Sequence, residues 1–167
     1  AASVTRAAVS TLEVGLDVAA MTSGVATINT GAIVKGNDPD VDGTGYISTA
    51  TSAGALVSVT ALFGADGSAA APAGTVYALT VTNAASGLTL TDGSAINLQL
   101  VDGVVVGVVS GGTFNGQAAF AISIDSATGA VTVEQYLSLD RPSEATVGNS
   151  FNSYDETLTL ATGSLGV

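Results

Sequence analysis

The stretch "AINLQLVDGVVVGVV", residues 95–109, constrains the fold more than any other. Two apolar runs meet at Asp102-Gly103, the residue pair that a two-residue type I′ turn requires, because both of its central positions take positive φ. An antiparallel hairpin follows, with strands near 95–101 and 104–110. On its first strand Ile96, Leu98 and Leu100 alternate with Asn97 and Gln99, so one side is built to be buried and the other to face water.

The same period of two recurs along the chain. It puts Leu12, Val14, Leu16 and Val18 on one side of "TLEVGLDV", and Val57, Val59, Ala61 and Phe63 on one side of "LVSVTALF". "VYALTVT" sets Tyr77, Leu79 and Val81 against Ala78, Thr80 and Thr82. Phe120, Ile122 and Ile124 share a face, as do Val131, Val133, Leu137 and Leu139, and "TLTLATGSLGV" adds Leu158 and Leu160. "IDSATGAV" is a longer hairpin loop between strands ending at Ile124 and starting at Val131. A helix over "RAAVSTLEVGLDVAAM" is disfavoured by Val14, Gly15 and Val18 and by the strict alternation. Seven or more short strands with turns this frequent predict an all-β chain, an antiparallel β-sandwich of immunoglobulin-like type forming a single domain over 1–167. The inward faces should include Leu98, Leu100, Phe120, Ile122, Val131 and Val133. Residues from about 20 to 54 are weakly patterned and rich in Ala, Thr, Ser and Gly. They predict a long irregular excursion with short strands around 25–28 and 46–48.

Composition agrees. Nearly half of the side chains are hydrophobic (47%), yet only 5% are aromatic, so the core must be built from Val, Leu, Ile and Ala. Fourteen acids against three bases give a net charge of −11, which disfavours nucleic acid and anionic membranes as partners and favours cations. No apolar run reaches membrane-spanning length. The opening "AASVTRAAVS" carries neither the charged region nor the apolar run of a signal peptide. With no Cys and no His, disulfides, thiolate metal sites and the Ser-His and Cys-His catalytic arrangements are excluded. Carboxylate pairs for glycoside hydrolysis could come from Asp140, Glu144, Asp155 and Glu156. A sugar cleft wants aromatic platforms, however, and the chain has no Trp, so a non-enzymatic role is expected.

The densest charge is "NDPDVDGTGY", residues 37–46, with Asp38, Asp40 and Asp42 at alternate positions and Gly43 after them. Calcium loops of the EF-hand type place oxygen ligands and a turn-making glycine at this spacing. Asp38, Asp40 and Asp42 would supply side-chain oxygens and Thr44 a backbone carbonyl. Asn37, water, Asp155 or Glu156 would complete the shell. Thr49 stands where such a loop has its bidentate carboxylate, and neither flank is helical, so this is not an EF-hand. Three carboxylates about 6 Å apart in water repel by roughly 0.7 kcal/mol per pair, and a hard divalent cation reverses that sign. The alternative is a solvated acidic turn, since Asp, Pro and Gly are ordinary turn residues. The Asp-Gly pairs at Asp66, Asp92 and Asp102 are expected to be turns.

"YALTVTNAASGL", "LVDGVVVGVV", "AFAISIDSATGAVTVEQYLSLDRPSE" and "NSYDETLTLATGSLGV" together resemble the tandem repeat domains of large bacterial repeats-in-toxin (RTX) adhesins. The resemblance covers roughly residues 75–167, and residues 20–60 depart from it. It implies an extracellular, calcium-stabilised β-sandwich at the bacterial cell surface, exported by type I secretion and serving adhesion and biofilm formation. Its partners would be neighbouring domains of the same adhesin. Three roles compete: a monomeric extender that spaces a binding module from the cell, a module binding a cell-surface glycan or peptide through calcium, and a subunit of a self-assembling filament or layer.

Overall fold

The computed structural model describes residues 2–6, 24–39, 45–46, 48–61, 76–140 and 160–167. Within them the chain is all-β. Its strands, in order, are β1 (Ala2–Arg6), β2 (Gly24–Val25), β3 (Gly45–Tyr46), β4 (Ser48–Ala55), β5 (Val57–Ala61) and β6 (Thr80–Val81). They are followed by β7 (Ala85–Thr89), β8 (Ala95–Val101), β9 (Val104–Ser110), β10 (Ala118–Ile124), β11 (Ala130–Gln135) and β12 (Leu165–Gly166).

Six of them form one antiparallel sheet in the order β4-β11-β10-β9-β8-β7. The β8–β9 hairpin closes at Asp102-Gly103 as its sequence requires. Val101 pairs with Val104, and the two turn residues have φ of 49° and 81°. Two-stranded pairings of β6 with β12, β1 with β5 and β2 with β3 complete the described topology.

The front face of the sheet carries Ile96, Leu98, Val105, Phe120, Ile122 and Val131. Leu79, Val81, Leu160 and Leu165, from β6, β12 and the residues beside them, pack against these and form the smaller opposing layer of a β-sandwich. Alternation along β8 places Asn97 and Gln99 in solvent, as expected. Leu100 differs: it shares the face of Leu98 but is 48% exposed, because it lies next to the hairpin tip and outside the front cluster.

The excursion also differs from expectation in where it ends. Residues 48–55 are not irregular but form β4, the edge strand of the main sheet, paired with β11. A bulge hides this strand from a periodicity reading. Between Thr51 and Ala55 the register shifts, and the Ser52 hydroxyl takes the Val131 N–H that a regular ladder would satisfy with backbone. The short strands expected around 25–28 and 46–48 are met only in part, by β2 and β3, which each overlap the expected range by one residue and pair with each other.

The back face of the sheet is covered too. Residues 26–36 run across it as a strap, with Ile28 packed among Val106, Val108, Ala118, Ala121 and Tyr136. Ala26 and Ile33 lie at the margin of that cluster. Val34 and Gly36 bracket Ala118: its N–H donates to the Val34 carbonyl and its carbonyl accepts from Gly36 N–H, both at 2.8 Å. Burial on both sides explains why "VVVGVV" in β9 lacks the alternation seen in β8.

Candidate functional site

The strap leads directly into the acidic stretch, and both are fixed by one short segment, residues 134–138, at the end of β11. Glu134 points to the back face, opposite in register to Val133, and is only 2% exposed. A buried carboxylate is costly unless donors surround it. Here Thr27 gives its backbone N–H at 2.8 Å and its hydroxyl at 2.7 Å, both to Oε1. The Ile28 N–H is shared between the two oxygens, nearer to Oε2 at 3.1 Å. Tyr136 donates its hydroxyl to Oε2 at 2.9 Å.

These bonds set the electrostatics. Burial pushes the Glu134 carboxyl up, but the Thr27 N–H and hydroxyl, the Ile28 N–H and the Tyr136 hydroxyl together outweigh it and hold the group below the ordinary glutamate value. Tyr136 is driven the other way, first by its own burial and then by the Glu134 charge and hydrogen bond, so its hydroxyl stays protonated. Lys35 places its ammonium 5.6 Å from the centre of the Tyr136 ring and 3.4 Å from the Ala26 carbonyl. Next along the segment, Leu137 fills the space beside Gly36, where an added Cβ would collide with it.

Ser138 then meets the first of the clustered aspartates. Asp38 is buried, and its Oδ2 accepts the Ser138 N–H at 3.1 Å and the Ser138 hydroxyl at 2.7 Å. Asn37, beside it, is exposed. Asp40, Asp42 and Thr44 lie outside the described residues, as do Asp155 and Glu156. Among the described residues, no three acidic side chains converge on a point that could hold a metal ion. Asp38 is therefore a structural anchor for the start of the acidic stretch. Its carboxylate is a hard oxygen donor of the kind that calcium takes.

The isolated aspartates behave as turn residues. Asp92 accepts the Ser94 N–H at 2.9 Å, and Ser94 holds its carboxyl below the usual range. Asp125 accepts from Thr128 and Ala127 N–H groups and is lowered in the same way, with Thr128 contributing most. Asp66 lies outside the described residues.

Sequence reasoning overlooked the Glu134 clasp. Its signal was a lone acid in mid-strand whose same-face neighbours on β9 and β10, Val106 and Ala121, are apolar. A face of that composition needs cover, and a charge within it needs partners.

A family model described as "Domain of unknown function (DUF5801)" matches residues 36–167. No curated protein and no solved structure matches the chain.

Proposed function

The chain belongs to the DUF5801 family, and from that premise we propose that it is a calcium-stabilised extracellular extender module of a large bacterial adhesin of the RTX type. The observation that carries this reading is the spacing of Asp38, Asp40, Asp42 and Gly43 in a chain of net charge −11. The anchoring of Asp38 by Ser138 supports it, because it ties the start of that stretch to the end of a core strand. Calcium there would neutralise carboxylates that otherwise repel. The chain's own part is to hold Asp38 in place, and, on this reading, to present the remaining oxygens from Asn37, Asp40, Asp42 and Thr44, with Asp155 or Glu156.

An extender is favoured over a ligand-binding module by the strap. The described part of the excursion turns Ile28, Thr27 and Lys35 toward the sheet rather than toward a cleft. Such a module is a monomer whose partners are its neighbours in the same adhesin. It performs no chemistry, and it works at the cell surface after type I export.

Thermal unfolding with calcium and with chelator tests the reading. If the dissociation constant is about 10⁻⁴ M, millimolar calcium adds roughly 1.4 kcal/mol per site, and the melting point should rise accordingly. Asp40→Ala with Asp42→Ala should abolish that rise. A native melting point indifferent to calcium, or a double variant that responds like the native chain, would make the stretch a solvated turn.

A further inference from the structure

We propose that residues 24–30 form an acid-opened flap: a proton taken up by Glu134 frees them from the back face of the sheet, while residues 33–36 stay docked. The bonds around Glu134 carry the argument. The Thr27 N–H, the Thr27 hydroxyl, the Ile28 N–H and the Tyr136 hydroxyl all donate to its carboxylate, and three of these four donors belong to the flap. A carboxylate suits that ring of donors, because its oxygens only accept. A carboxylic acid does not. It brings a hydrogen of its own, and the only acceptors among these partners are the two hydroxyl oxygens, each already turned to donate. Once neutral, it also loses the charge that makes such bonds strong. Acid therefore cancels what attaches the flap and leaves the ladder of the sheet intact.

The two halves of the strap are held by different means. The first half has the Glu134 bonds, the buried side chain of Ile28 and, at its start, the two-residue pairing of β2 with β3. A pairing that short is marginal in water. The second half is bonded to backbone. Val34 and Gly36 exchange two hydrogen bonds with Ala118, and Leu137 fills the space beside Gly36. No titratable side chain takes part in those contacts. A tight turn separates the halves and serves as the hinge: the Ile33 N–H donates to the Thr30 carbonyl, the Thr30 hydroxyl donates to the Ile33 carbonyl, and Gly31 takes a φ of 63°. In register with Glu134 stand Ala121 on β10 and Thr49 on β4, neither of them ionisable. Tyr136, on its own strand, is driven up by burial and by the Glu134 charge and stays protonated, and Lys35 of the strap sets its ammonium over the Tyr136 ring. The sign follows. The donors hold the Glu134 carboxyl below the ordinary glutamate value, so the flap is closed above that value and opens as pH falls through the folded one. Opening uncovers Val106, Val108 and Ala121, which makes an apolar surface conditional on acidity.

Amide exchange on the full chain in chelator, from about pH 7 to about pH 3, reads the two halves separately. Corrected for intrinsic exchange rates, protection of the Thr27 and Ile28 amides should hold steady above about pH 5. Below it, protection should fall by up to about tenfold per pH unit, since each opening takes up one proton. The Gly36 and Ala118 amides should keep their protection across that range. Glu134→Gln should leave the flap less protected at neutral pH and remove the fall on acidification. Tyr136→Phe takes away one donor and leaves the carboxylate, so the fall should level off at a higher pH. Loss of packing alone would lower protection equally at every pH. Flap amides whose protection is unchanged until those of β10 open overturn the proposal, as does loss of Gly36 protection along with them. A Glu134→Gln chain that retains the acid-dependent fall overturns it equally. If Glu134→Gln does not fold, the native profile and Tyr136→Phe decide in its place, and a level-off point that does not move overturns the proposal.

Discussion

At the scale of single residues, Glu134 has the largest expected effect. Glu134→Ala leaves the Thr27 and Ile28 N–H groups and the Tyr136 hydroxyl without their acceptor, at a cost of about 3 kcal/mol in urea melts at neutral pH. Glu134→Gln keeps an acceptor and should cost less. The pH dependence carries its own sign. The folded pKa lies below the ordinary value, so the contribution is complete above the unfolded value near 4.5 and is lost as pH falls through the folded pKa. The stability difference between the native chain and Glu134→Gln should therefore be constant above about pH 5 and shrink below it. A difference that grows on acidification would mean the carboxylate is not held by these donors. At the hairpin tip, Asp102 has a φ of 49° without glycine's freedom. Asp102→Gly should be neutral or slightly stabilising, and Asp102→Ala should cost about 1 kcal/mol. Complete loss of folding on Asp102→Ala would give that carboxylate another role.

At the scale of elements, β9 and β10 meet through a glycine. A Cβ on Gly107 would collide with the Phe120 ring, which lies across it on the front face. Gly107→Ala should cost about 2 kcal/mol, within the range for overpacked cores, and Phe120→Leu in the same chain should recover part of it. Thermal melts of the two single variants and the double variant measure the coupling. Strict additivity would show that the ring does not occupy the space above Gly107. The bulge at Ala119, where β10 gains a residue against β9, has a structural consequence of its own. Its carbonyl receives both Tyr136 and Leu137 N–H groups, and beyond Val133 and Glu134 the alternation continues, with Tyr136 in the back cluster and Leu137 in the front one.

At the scale of the whole molecule, the sheet has two buried faces rather than one. Val106 tests this directly, because it belongs to the back cluster alone. On a sandwich with a solvated back face, Val106→Ser would be close to neutral. With the strap in place it should cost about 2 kcal/mol, from lost burial and a hydroxyl placed among apolar side chains. Hydrogen exchange gives an independent measure. The amides of Thr27 and Ile28 belong to no strand, yet they should exchange as slowly as those of β10, since both donate to a buried carboxylate. Fast exchange at both would mean that the strap opens independently of the sheet.

The strands and the hairpin were legible in the sequence because their signals are local. Alternation over 95–101 states which side chains share a face, and Asp102-Gly103 states where the chain reverses, each within a few residues. Neither signal says what lies over a face. That Leu98 is buried while Leu100 is half exposed depends on where the front layer ends. Residues 48–55 escaped recognition as a strand because a bulge breaks their period and a serine hydroxyl replaces a ladder bond. The acidic stretch was conspicuous by its charge, yet the partner that Asp38 meets is a serine 100 residues further along. Thr27 and Glu134 stand 107 residues apart, and nothing near either one encodes the other. The strap, the second buried face and the neutralised cost of Glu134 were decided only by tertiary structure, because contacts at that separation form when the sheet itself brings the two segments together.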